Sequence, residues 1–361
     1  LDALSSLQDI NGDLRIRDNP ALVSLSGLSS VSDVLGDFDF SNNDSVTHLV
    51  ALYSLSNVES LKISGNELLS DLDGLAGLDS MDGDLEISEN PALLHFDGLS
   101  NLNGSAENIY IRDNESLLDV GGLSWIESGH YLSISGNASL LNIDGCSNMG
   151  GIANGVSISE NPSLLDIDGL LGMTWADDTF SIWDNDSLVD LSGLSNLENA
   201  QWLYITGNDS LENIDGLGNL TEVSARLSIS GNPLLPDLAG LSGLIEVGSL
   251  VLSDLQSLSS LDGISGLSEI QGNLTLELLP ALPNVDGLSN IVSIGNDLLI
   301  DQNTALENLD GLQNVDCLGG DFTVTQNTSL CQDTVASVLS QLETQGWSGV
   351  SSTTGNLADC P

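Results

Sequence analysis

Apolar residues return along this chain at steps of three, three, three, four, two and six positions, and then the pattern starts again. A segment of about 24 residues carries it, and fourteen copies run from Leu1 to Gln332. One copy reads LDGLAGLDSMDGDLEISENPALLH, from Leu72 to His95; another reads VDGLSNIVSIGNDLLIDQNTALEN, from Val285 to Asn308. Numbered from the residue before Asp-Gly, the apolar positions are 1, 4, 7, 10, 14, 16 and 22. In the first example they are Leu72, Leu75, Leu78, Met81, Leu85, Ile87 and Leu93. A fixed period in this range predicts a solenoid, in which each coil buries its apolar side only against its neighbours. Positions 14 and 16 alternate with polar residues, the period of a short half-buried strand. Stacked coils align these strands into a parallel sheet at ~4.8 Å per coil, a body on the order of 65 Å long. The steps of three do not fit a strand. They suggest tight turns or short extended pieces, and a single helical turn also fits. The fold expected is a right-handed parallel β-solenoid, dominated by β structure.

The polar positions repeat as strictly. Position 19 is Asn in 12 of 14 coils, among them Asn90, Asn161 and Asn232. An inward amide there satisfies backbone groups of its own coil and the next, because buried amides need partners. The two exceptions, Leu255 and Leu279, fall in adjacent coils, which can drop the amide together if the turn repacks apolar. Position 3 is Gly in 12 coils and position 2 is Asp in 9. This Asp-Gly reads as a turn, with Asp bonding the local backbone and Gly supplying positive φ.

The string Leu227-Ser-Ile229-Ser-Gly-Asn232-Pro-Leu-Leu235 resembles a leucine-rich repeat. The extra residue after Asn and the recurring I-x-G-D-L-x-I bring it closer to the receptor L domain. That family includes the ligand-binding L domains of the insulin and epidermal growth factor receptors, fungal wall proteins and many bacterial surface proteins. Phe322-Thr-Val324-Thr-Gln-Asn327-Thr-Ser-Leu330-Cys331 resembles the last L-domain strand, which in the family precedes a helix and a closing Cys. The resemblance therefore implies a Cys331–Cys360 disulfide. Fourteen regular coils and four cysteines depart from the receptors, so nothing carries over about hormone or growth-factor binding.

From Asp333 the repeat stops, dividing the chain into a solenoid over 1–332 and a cap over 333–361. Val335, Val338, Leu339 and Leu342 fall at helical spacing, with Asp333 placed to cap the helix. This helix and Trp347 would cover the last coil, as solenoid ends require. Cys146, at apolar position 4, is expected to be a buried free thiol. The chain starts inside a repeat at Leu1, which reads as a mature product or a fragment without its N-terminal cap.

Composition narrows the function. Lys plus Arg total 5 against 53 Asp plus Glu, a net charge of −48. Such a chain repels nucleic acid and anionic lipid. No apolar run approaches the ~20 residues of a membrane span. All five basic residues, Arg15, Arg17, Lys62, Arg112 and Arg226, fall at the outward strand positions 13, 15 and 17. The same columns carry Tyr110, Tyr131, Trp183, Trp202 and Tyr204, and Ser fills most other slots. Tyr110, Arg112, Tyr131, Trp183, Trp202, Tyr204 and Arg226 are therefore the candidate ligand-binding residues, since exposed aromatics suit sugar stacking or a protein hot spot. Sheet stability and charge compensation explain the same residues without a ligand.

Asp73, Asp97, Asp144 and Asp168 at position 2 stack coil over coil, which raises calcium. No loop that would supply six to eight oxygens is present, so turn-capping is the expectation and no resident cofactor is assigned. His48, His95 and His130 form no recognisable constellation with a Ser or Cys nucleophile. The reading is a non-enzymatic module, secreted or at the cell surface, that binds a protein or glycan ligand through the strand face. The alternative is a structural coat, sheath or filament subunit that packs against copies of itself.

Overall fold

A computed structural model describes residues 1–358. It divides into two compact units, Leu1–Ala176 and Asp177–Pro361. Both are built from the same coil. The steps of three resolve into a 3₁₀ turn at positions 2–4, repeated fourteen times, for example at Asp73–Leu75 and Asp215–Leu217. A 3₁₀ turn has three residues per turn, so positions 1, 4 and 7 fall on one side and all three are buried. Leu72, Leu75 and Leu78 are each 0% exposed.

The strand expected at positions 14–16 runs over positions 14–17. In the first unit Leu14–Arg17, Phe38–Ser41, Leu61–Ser64, Leu85–Ser88, Asn108–Arg112, Tyr131–Ser135 and Val156–Ser159 pair in parallel, each with the next. In the second, Asn199–Thr206, Glu222–Ser230, Glu246–Ser253, Leu274–Glu277, Leu298–Asp301 and Phe322–Thr325 do the same. A second row of two-residue strands forms around position 10, as at Asp33–Val34 and Glu269–Ile270. In four successive coils the two rows fuse, giving strands of eight or nine residues at Trp175–Trp183, Asn199–Thr206, Glu222–Ser230 and Glu246–Ser253.

The glycine of position 3 does not have positive φ. It is needed because the coils approach closely. A Cβ on Gly145 would lie 1.9 Å from the Val120 carbonyl oxygen, and one on Gly216 would lie 1.8 Å from that of Leu191. Positive φ falls instead at position 18 in every coil, from Asp18 to Gln326, at +54° to +68°. Nor is it the side chain of the position-2 Asp that closes the turn: its backbone carbonyl does, as in Ala76 N–H to Asp73 O. The backbone N–H of position 2, whatever the residue, is accepted by the side chain two residues earlier, as in Gly121 N–H to Asp119 (2.9 Å), Ser192 N–H to Asp190 (2.8 Å) and Asp286 N–H to Asn284 (3.1 Å).

The asparagines of position 19 lie fully inside from Asn43 onward, and Asn19 of the first coil is exposed. Asn90 donates from Nδ2 to its own coil at Ser88 O (2.8 Å) and to the preceding coil at Ile63 O (3.0 Å). Its Oδ1 accepts the backbone N–H of Asn66 at 3.1 Å. Asn161 and Asn232 donate in the same way, to Ile134 O and Ser159 O and to Ile205 O and Ser230 O. The amide thus serves its own coil, as expected, but the other backbone groups it satisfies belong to the preceding coil, and it meets the following coil only through the side chain of Asn114, at 3.2 Å from its Oδ1. The position-17 carbonyl, Ser88 O, accepts from Asn90 of its own coil and from the Gly65 N–H, while the position-16 carbonyl, Ile63 O, is the one reached by the asparagine of the following coil. Leu255 and Leu279 are both 0% exposed and repack the turn with apolar contacts.

At the C-terminus one α-helix, α1, spans Gln332–Thr344 and buries Val335, Val338 and Leu342. Its N-cap is Cys331, without a side-chain cap bond, and Asp333 sits inside the first turn. There its charge favours the positive end of the helix dipole but caps nothing. Trp347 donates from Nε1 to Gly320 O at 2.8 Å and packs edge-on against Phe322. The chain after the helix then imitates one more coil. Ser351–Ser352 pairs with Phe322–Thr323, Gly355 takes φ +81°, and Asn356 continues the amide ladder onto Asn327 and Val324. The Gly355-Asn356 pair repeats the Gly-Asn of Gly65-Asn66 and Gly231-Asn232, a signal present in the sequence that the cap reading passed over.

Two predictions concern this core. Leu164, 0% exposed at position 22, should cost roughly 2–5 kcal/mol when cut to Ala, because the cavity cannot collapse. An unchanged urea midpoint would show that the column does not hold the coils together. Cys146 and Cys317 are free thiols, the first buried and the second exposed. Burial pushes the Cys146 thiol up to about 12, so almost no thiolate is present at pH 8. Native alkylation should therefore modify Cys317 quickly and Cys146 only after unfolding; rapid labelling of Cys146 would remove it from the core. The expected partner of Cys331, Cys360, lies outside the described residues.

Candidate functional site

The outward columns of the strand face can be read residue by residue from the register. In the first unit, column 15 runs Arg15, Asp39, Lys62, Glu86, Tyr110, Ser133, Ser157. Its first four members alternate in charge, and neighbouring columns add to the pairing. Arg15 meets Asp13 at 2.5 Å, Lys62 meets Glu86 at 2.7 Å, and Arg17 pairs with the nearly buried Asp39. The Asp39 bond raises the Arg17 pKa. Opposite charges set directly across a ladder stabilise it, so these three cations compensate acids and are not offered to a ligand.

Beyond them the face changes character. Tyr110 and Tyr131 lie in adjacent coils with ring centroids 5.9 Å apart and planes tilted by 48°. The Arg112 guanidinium sits 4.3 Å from the Tyr110 ring centroid, and its Nε donates to Ser133 Oγ at 3.1 Å. A cation over an aromatic face is attracted to the ring quadrupole, and the ring in turn fixes the arginine. Burial, with Asp84 nearby, raises the Tyr110 phenol above its ordinary pKa.

In the second unit Trp202 and Tyr204 stand two residues apart on one strand, so both project to the same side. Their rings are nearly parallel, at 10°, with centroids 6.4 Å apart. Arg226 is the direct partner of Trp202 on the next strand. The ladder register shifts between Ala200 and Trp202 and again between Val223 and Arg226. Such irregularities re-aim the side chains that follow them. The face continues past Tyr204 as Ser228, Val251, Thr275 and Leu299. Trp183 lies half-buried at the end of the strand Trp175–Trp183. The seven candidate residues are thus Tyr110, Arg112 and Tyr131 in one unit and Trp183, Trp202, Tyr204 and Arg226 in the other. Among the described residues, the ion pairs within 4.0 Å take up Arg15, Arg17 and Lys62 and leave out Arg112 and Arg226.

His48 Nδ1 lies 2.7 Å from Asp71 Oδ2 and 3.3 Å from Ser70 Oγ. A serine, a histidine and an aspartate therefore do meet, which their spacing in the sequence did not reveal. Both contacts use the same ring nitrogen, however. A relay needs the acid on one nitrogen and the hydroxyl on the other. Ser70 Oγ also donates to Asp71, so the cluster reads as a hydrogen-bonded turn. No group of three or more His, Cys, Asp or Glu among the described residues is arranged to hold a metal. No helix among the described residues is long and apolar enough to cross a membrane.

No family model matches the chain, and no curated protein matches it. Solved structures similar to it include an internalin of Listeria monocytogenes, at 16% identity over 85% of this chain and 86% of that one, with a TM-score of 0.49. A leucine-rich-repeat protein of Leptospira interrogans is similar at 16% identity over 98% of this chain and 86% of that one, also with a TM-score of 0.49. The chain's own geometry decides its class: with a coil of about 24 residues, in-register parallel strands, a buried asparagine ladder and one C-terminal helix, it has a leucine-rich-repeat fold, a parallel β-solenoid.

Proposed function

We propose that this protein is a non-enzymatic recognition module of the cell surface or extracellular space, binding a protein or glycan ligand through its strand face. The observation that carries the reading is the Trp202, Tyr204 and Arg226 group. Two nearly parallel rings and an arginine outside any ion pair stand together on adjacent strands, next to two register shifts. Trp, Tyr and Arg are the residue types that dominate binding energy at interfaces. The near-parallel rings also offer flat faces to a sugar ring. Tyr110, Tyr131 and Arg112 form a second group of the same composition in the other unit. The net charge of −48 disfavours nucleic acid and anionic membrane as partners.

The test is binding of wild type, Trp202→Ala and Tyr110→Ala to glycan arrays and to candidate surface proteins in pull-downs. Trp202→Ala should weaken binding by at least ~2 kcal/mol with the melting midpoint unchanged. Equal binding by all three would assign the aromatics to sheet stability. Concentration-dependent self-association of the wild type would then favour a coat or filament subunit.

A further inference from the structure

A second surface of the first unit carries a pattern that the coil does not require. The residue after inward position 22 faces outward, and in four successive coils it is Leu94, Leu118, Leu141 and Leu165. These are 44%, 44%, 43% and 52% exposed. They are stacked in register: Leu118 N–H donates to Leu94 O, Leu141 N–H to Leu118 O, and Leu165 N–H to Leu141 O, at 3.0–3.1 Å. At ~4.8 Å per coil, the four form a continuous aliphatic stripe of ~14 Å. The turn tolerates very different residues at this place. Elsewhere it holds Thr47, Ser70, Glu212, Pro236, Ser259, Pro283, Glu307 and Cys331, with a valine at Val23 and Val189. Packing therefore does not explain four exposed leucines in a row, and solvent exposure argues against them.

The borders of the stripe identify what would cover it. Three residues on, position 2 places the exposed Asp97, Asp144 and Asp168 along the same coils. Five residues back, position 18 places Glu89, Asp113 and Glu160, each in the left-handed conformation. All Lys and Arg of the chain lie on the strand face, so none borders this stripe. A second copy of the chain would bring acid against acid.

We infer that the stripe is a docking site for a cationic amphipathic helix of another protein, its apolar face on the four leucines and its Lys or Arg residues against the flanking carboxylates. The leucine spacing of ~4.8 Å is closer to the 5.4 Å rise of a helical turn than to the ~6.7 Å between alternate residues of a strand. About nine helical residues, with apolar anchors at i, i+3 or i+4, and i+7, would span it.

The experiment uses two synthetic peptides of Leu and Lys with one composition, one amphipathic as a helix and one scrambled, titrated against the full chain at low and at 0.5 M salt, roughly a 3–4 Å screening length. Leu118→Ser with Leu141→Ser leaves the charge unchanged and alters only exposed side chains. The amphipathic peptide should bind the wild type at high salt, and the double variant should weaken it at least tenfold. The scrambled peptide should bind weakly, at low salt only, and equally to both proteins. An equal loss for both peptides, no loss for either, or binding that vanishes in salt regardless of peptide pattern would overturn the inference. A melting midpoint matching wild type makes the comparison valid, and Leu94→Ser alone serves if the double variant unfolds.

Discussion

Gly145→Ala is expected to destabilise the protein by about 3 kcal/mol, although it adds one methyl group near the surface. That methyl would lie 1.9 Å from the Val120 carbonyl oxygen of the preceding coil. The obstacle is backbone, so no side chain can rotate away, and the coils must part. The protein already shows the consequence at one place. Coil 3 carries Ala51 instead of Gly at this position. Its 3₁₀ turn, Val50–Leu52, lacks the closing backbone bond that the turns at Ser26–Leu28 and Asp73–Leu75 make. Gly121→Ala provides the control. It lies at the turn's first residue, and its added methyl would meet only side-chain carboxylates, that of Asp97 at 2.8 Å and that of Asp119 at 3.1 Å, which can shift where a backbone carbonyl cannot. Urea denaturation should separate the two by at least ~2 kcal/mol. Equal midpoints would mean that coil spacing is softer than the carbonyl contact implies.

A comparably large loss is expected from Asn114→Ala. Asn114 Nδ2 donates to Ile87 O and Arg112 O, both at 2.9 Å, and its Oδ1 accepts the Asn90 N–H at 3.2 Å. Alanine leaves the Asn90 N–H buried without its acceptor and takes a donor from Ile87 O and from Arg112 O, which keeps the Glu89 N–H; with each unsatisfied buried group costing about 1–3 kcal/mol, the loss is roughly 3 kcal/mol. Amide exchange locates the effect: the Asn90 N–H should lose protection first and most. If exchange at Asn90 is unchanged while stability falls, the loss comes from packing and not from the ladder. Leu255 and Leu279 show that the amide is dispensable only where adjacent coils both replace it with a bulkier apolar group.

The strand face carries the functional reading, and its legibility was partial. Alternation at positions 14 and 16 was enough to place Trp202, Tyr204 and Tyr110 outward, because a strand sends successive side chains to opposite faces. It could not separate the cations. Arg15, Arg17 and Lys62 look like Arg112 and Arg226 in the sequence, but the register sets Arg17 and Lys62 against Asp39 and Glu86, and Arg15 turns to Asp13 two residues before it. Ion pairing depends on which residue lies one coil away and on rotamer, about 24 positions distant in the chain. The near-parallel setting of Trp202 and Tyr204 is a matter of side-chain torsions, which no local pattern encodes.

By itself the sequence determined the coil, its number, the direction of every core column and the place of the closing helix. All of these follow from the period of apolar residues, and a period is a one-dimensional property. Only the tertiary structure decided the backbone geometry within the coil. The steps of three became 3₁₀ turns, positive φ moved from the glycine of position 3 to position 18, and the asparagines bonded backbone of the preceding coil instead of the next. Glycine in the sequence signals either a special φ or a close approach, and the two are distinguished only by what lies across the gap. Here a carbonyl of the neighbouring coil lies across it. The same holds for Asn356, whose role as a final rung depends on α1 returning the chain to the edge of the last strand.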